Sequence, residues 1–115
     1  MMGMSAHMDD TIAAISTPPG EGGVGIVRLS GPQAIAIAAR LFISSHGKTF
    51  PSSRQRVFHG HIRDASGAVL DEVLLHVMRA PHSYTREDVV EINCHGGMLP
   101  LSEVLDETLR QAARL

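Results

Sequence analysis

The chain has 115 residues, 43% of them hydrophobic and 19% charged, with a formal net charge of −2. That allows one domain with a genuine if modest core, and it excludes a disordered chain. It also excludes a broad basic face for nucleic acid, and no apolar run approaches the roughly 20 residues that span a bilayer. Cys94 is the single cysteine, so no internal disulfide can form, which fits a reducing, cytoplasmic setting.

Residues 1–8 hold four methionines and no basic residue, unlike a secretory signal. They are expected to be a disordered or non-native leader, with the domain occupying 9–115. A first strand is expected at 11–15, stopped by Pro18 and Pro19. A second at 24–29 places Val24, Ile26 and Arg28 on one face and Val27 and Leu29 on the other. Ser30-Gly31-Pro32 signals a helix start, with Pro32 at the first helical position. Ile35, Ala38, Ala39 and Phe42 recur at helical spacing, so this helix should run to about Ser44. A polar connection follows at 45–54.

Strands at 57–63 and 68–78 flank Asp64-Ala65-Ser66-Gly67, a hairpin signal with Gly67 where positive φ is needed. A further strand at 87–94 sets Val90, Ile92 and Cys94 opposite Val89, Glu91 and Asn93. Gly96-Gly97 ends it. A helix to the terminus then presents Leu101, Val104, Leu105, Leu109 and Ala112, with Asp106 and Arg110 in salt-bridge spacing. The order β-β-α-β-β-β-α, with hairpin-linked strands and helices on one side, implies an α+β sandwich.

Two glycine-flanked strands carry one charge each in otherwise apolar runs: Arg28 after T-P-P-G-E-G-G-V-G, and Glu91 before Asn93-Cys94-His95-Gly96-Gly97. A charge in such a run is costly unless paired or bound to something. The residues leave two readings open: a cross-sheet ion pair between Arg28 and Glu91, or a ligand site built from both.

Other patterns carry less. Gly20 to Gly25 satisfies G-x-G-x-x-G, but the dinucleotide reading needs those glycines to open a helix, and here they open a β-branched run. Gly47-Lys48-Thr49 imitates the end of a P-loop, yet Phe42 stands where the first glycine belongs. Seven histidines give no ligand set with zinc spacing, so no metal site is expected. Cys94, on the apolar strand face, reads as a small buried hydrophobe rather than a nucleophile.

Asp10-Thr11-Ile12-Ala13-Ala14, T-P-P-G-x-G-G-V-G-I-V-R-L-S-G and Y-T-R-E-D-V-V-E-I-N-C-H-G-G occur in order. With the Gly67 and Leu70-Asp71 hairpin, they resemble the N-terminal domain of the tRNA-modification GTPases called MnmE or TrmE, over residues 9–115. The resemblance implies half of a folate-binding unit similar to the glycine-cleavage T-protein, completed by homodimerisation. It implies that Arg28 and Glu91 contact 5-formyl- or 5,10-methylene-tetrahydrofolate, with Gly22, Gly23, Gly25, Tyr84, Asn93 and His95 as weaker candidates for the pocket wall. Helical and G domains would lie outside this fragment, and with them GTP, Mg2+ and K+.

The implied whole enzyme works with an MnmG-type flavoprotein to add aminomethyl or carboxymethylaminomethyl groups at C5 of the wobble uridine of tRNA. This domain would supply no catalytic residue and no direct contact to nucleic acid or membrane. Further folate contacts of the family lie beyond Leu115, so the fragment alone should bind folate weakly. Glu21 departs from the basic or small residue often found at its position, which puts a contact with the folate tail in doubt. Rival readings are a purely structural dimerisation domain and a free-standing aminomethyltransferase-like folate enzyme.

Overall fold

The computed structural model describes residues 10–16, 25–45, 56–80, 87–111 and 113. Their strands are β1 (Ile12–Ile15), β2 (Gly25–Ser30), β3 (Phe42–Ser44), β4 (Val57–Arg63), β5 (Val69–Met78) and β6 (Val89–Cys94). The helices are α1 (Ala34–Leu41) and α2 (Met98–Arg110). All neighbouring strands pair antiparallel in one sheet of order β1-β2-β6-β5-β4-β3.

Strand alternation divides the sheet into two faces. Val27 and Leu29 of β2, Val90, Ile92 and Cys94 of β6, and Val73, Leu75 and Val77 of β5 form one buried cluster. Phe58 and Ile62 of β4, Ala13 of β1 and Phe42 of β3 also belong to it. Ala34, Ile37, Ala38 and Leu41 of α1 and Leu101 and Val104 of α2 join the same cluster, so both helices cover this face. Gly25 begins β2 on that side, where an added Cβ would lie 2.6 Å from Leu101 Cδ2. Its missing side chain lets α2 approach the sheet. The result is the expected α+β arrangement, and no helix among the described residues is long and apolar enough to cross a membrane.

The helical stripe that includes Phe42 misleads. The α-helix stops at Leu41, and Phe42 turns to extended backbone at φ −100°, ψ 135°. β3 then pairs with β4, Phe42 opposite Ile62 and Ser44 opposite Gly60. Phe42 still reaches the core, its ring edge-on to Phe58 at 6.4 Å, so burial satisfies either conformation and strand pairing decides between them. The observed order is therefore β-β-α-β-β-β-β-α, one strand more than the sequence suggests.

The start of α1 also moves. Pro32 and Gln33 lie in a turn before Ala34, and Gln33 N–H donates to the buried Thr11 hydroxyl at 2.8 Å. That hydroxyl, from the residue before β1, serves one of the backbone donors at the helix entrance. In α2, Arg110 Nη1 pairs with Glu107 Oε1 at 2.6 Å instead of with Asp106. Glu107 and Thr108, polar in sequence, are buried. Thr108 turns its hydroxyl back to the Leu105 carbonyl at 2.7 Å, which satisfies it inside the helix.

The β4–β5 turn forms as its residues require. Gly67 adopts φ +92°. Asp64 Oδ1 accepts from Ser66 N–H at 2.9 Å, the Ser66 hydroxyl at 2.6 Å and Ala68 N–H at 3.0 Å. The Ser66 hydroxyl bond leads the causes that lower the Asp64 pKa from the ordinary 3.8. The folded pKa is depressed, so the turn's charge-assisted bonds contribute above the unfolded value and fade as pH falls through the folded one. Carbon-detected NMR titration should place the Asp64 midpoint below 3.8, and Ser66→Ala should return it toward that value.

Candidate functional site

β2 and β6 lie side by side within the sheet, and their register sets Arg28 directly opposite Glu91. Both side chains share the face turned away from the helices. Arg28 Nε donates to Glu91 Oε2 at 3.0 Å and Nη2 donates to the same oxygen at 2.6 Å. Side-chain exposure is 38% for Arg28 but only 11% for Glu91. The carboxylate is thus nearly dehydrated while the guanidinium keeps one side in water. Both bonds end on Oε2, so Oε1 takes part in neither.

The row of cross-strand partners through this pair runs Ala14, Arg28, Glu91, His76 and Val57. His76 is a site neighbour that no sequence motif marks. The one available signal is the alternation of Leu74, His76 and Met78 along β5. Asn93 lies on the same face as Glu91, two residues on, and its amide donates to the Leu74 carbonyl at 3.1 Å. His95 follows the end of β6, and its N–H donates to Asp71 Oδ2 at 2.8 Å. Gly96 N–H reaches the same oxygen at 3.1 Å, so Asp71 of β5 fixes the turn leading into α2. At the other end of β2, the Ser30 hydroxyl donates to Glu87 Oε1 at 3.4 Å.

Of the sequence-named residues, Arg28, Glu91 and Asn93 share one face and His95 borders it. Gly25 faces α2 instead. Gly22, Gly23 and Tyr84 lie outside the described residues.

The remaining reactive groups separate from this face or pair locally. Cys94 is 1% exposed, and burial, aided by the Asp71 charge, pushes its thiol up to about 12. A thiol held that high supplies no thiolate near neutral pH. His59 lies between the Ser45 hydroxyl, 2.8 Å from Nδ1, and the Glu72 carboxylate at Nε2. Among the described residues no group of three His, Cys, Asp or Glu side chains could hold a metal ion. Gly25 begins a strand rather than a helix, so a dinucleotide-type helix N-terminus is not formed there.

Comparison with known proteins places these features in a family. The model of the family described as "GTP-binding protein TrmE N-terminus" matches residues 11–115. A protein of Moorella thermoacetica named tRNA modification GTPase MnmE is 60% identical over 110 residues, covering 94% of this chain and 24% of its own. Proteins of the same name from Chloroflexus aurantiacus and Bacillus subtilis are 56% and 54% identical over 108 residues each. They cover 94% and 92% of this chain and 24% of their own length. The chain thus spans about a quarter of the length of these relatives.

The uneven burial of the ion pair makes its two truncations unequal. Arg28→Ala leaves a largely buried carboxylate without its donors and should cost about 1–3 kcal/mol. Glu91→Ala leaves a guanidinium that can turn to water, so its loss should be smaller. Urea unfolding midpoints of the two variants check the order.

Proposed function

This chain belongs to the TrmE N-terminal family, and from that we propose that it is the folate-binding, dimerising module of a tRNA-modifying GTPase. The observation that carries the folate reading is the Arg28–Glu91 pair on the side of the sheet opposite α1 and α2. A pterin ring presents an amino group and a ring N–H side by side. A carboxylate accepts such donors with charge-assisted strength, and low exposure raises the value of each bond. Glu91 fits this role because Oε1 is not engaged by Arg28, while the guanidinium holds the carboxylate in one orientation. The planar Arg28 guanidinium, with its several N–H donors, suits ring or formyl oxygens. Bound tetrahydrofolate would supply the one-carbon unit, while the residues of this chain bind and orient it.

Dimerisation draws support from the same side of the sheet. Ile12, Ile43, Val57 and Leu74 all lie on the face opposite the helices and are 38–48% exposed. A second copy meeting this face about a two-fold axis would bury them and bring two folate sites toward one interface. On this reading the parent enzyme is cytoplasmic and acts with an MnmG-type flavoprotein on the wobble uridine of tRNA. GTP, Mg2+ and K+ then belong to a G domain outside residues 11–115. The domain described here supplies binding and assembly rather than catalysis.

A second reading keeps the ion pair as structure alone, and the direct contact between the two side chains favours it. Calorimetry with 5-formyltetrahydrofolate separates the two. Weak but saturable binding is expected, abolished in Glu91→Ala with the circular dichroism spectrum retained. An unchanged affinity in that variant would leave only the structural pair. In sedimentation equilibrium the chain should be dimeric, and Leu74→Glu should shift it to monomer. A wild-type monomer at all concentrations would rule out the dimer.

A further inference from the structure

On the helix side, away from Arg28 and Glu91, a cleft of about 260 Å3 lies between the β4–β5 turn and the C-terminal half of α2. Asp64, Leu70, Glu103, Asp106, Glu107 and Arg110 line it. Four of these six side chains are carboxylates against one guanidinium, so the cleft has an excess of negative charge. Glu107 is the unusual member. Its side chain is 4% exposed, Arg110 Nη1 holds Oε1, and Oε2 is buried without a hydrogen-bond partner. A buried carboxylate oxygen with no donor is costly, and folded chains rarely keep one unless something supplies the missing donor.

We propose that this cleft receives an arginine side chain from a partner polypeptide. The complement of this wall is a cation that carries several N–H donors. A metal ion is a poor occupant, since no three of the described carboxylate, histidine or cysteine groups could hold one. A guanidinium can bridge Glu107 and a second acid at once, and its weakly hydrated plane can lie against Leu70. The side chain of Arg110 is 65% exposed and can swing out, which opens the route to Glu107. Asp64 adds charge more than a bond, because its Oδ1 already accepts three donors within the turn. Glu103 and Asp106, both exposed, supply the outer acceptors. No residue of this site belongs to the folate proposal, so the two stand or fall separately.

The test is an NMR titration of the isotope-labelled chain with N-acetyl-arginine amide, alongside tetramethylammonium. Saturable amide shifts confined to 64–70 and 103–110 are expected with the arginine probe alone. Glu107→Gln should weaken that binding about tenfold. Should this buried substitution unfold the chain, the exposed double variant Glu103→Gln/Asp106→Asn should weaken binding comparably. Shifts that never saturate, that appear equally with tetramethylammonium, or that persist in a folded variant overturn the proposal.

Discussion

The antiparallel register between β2 and β6 is the constraint on which the molecule turns. Side chains alternate with a period of two, so a slip of one residue on either strand would exchange its faces. Arg28 or Glu91 would then enter the core, and Val27 and Leu29, or Val90 and Ile92, would meet water. Because burying an unpaired charge is so unfavourable, the two charged residues help reject the wrong register. The correct one sets them opposite each other, with two N–H donors of Arg28, on Nε and Nη2, meeting a single Glu91 oxygen.

The two faces of the sheet do different work. One is closed by α1 and α2 over a continuous aliphatic core, and Gly25 leaves room there for Leu101. The opposite face carries the polar row and several exposed aliphatic side chains. Glu91 is buried at its side chain yet lies on that second face, where it combines the low dielectric of an interior with access from one side. That setting strengthens hydrogen bonds and raises the cost of leaving a donor or acceptor unmet. The same feature therefore serves ligand recognition and makes the loss of Arg28 expensive.

Acidic residues show how position divides labour. Glu91 meets a guanidinium across two strands, Asp71 clamps the backbone after β6, and Asp64 organises a hairpin turn. Glu107 is only half satisfied, by a neighbour one helical turn away. All four are carboxylates of similar intrinsic chemistry. What separates them is which donors the fold brings near and how much water remains.

Alternation and turn residues in the sequence already determine most strands, the Gly67 turn, the burial of Cys94 and the side of the sheet on which Arg28 and Glu91 stand. These follow from local rules: period-two patterning, glycine's access to positive φ, and the aversion of charge to the core. Tertiary structure decided what depends on distant partners. Phe42 could satisfy its burial on a helix or a strand, and β4 settled the matter by offering a free edge and the bare backbone of Gly60. Likewise the pairing of Arg28 with Glu91, 63 positions apart, His76 as their neighbour, and the choice of Glu107 over Asp106 by Arg110 come from packing. Local sequence sets which face a residue takes; only the assembled sheet and helices set which group it meets there.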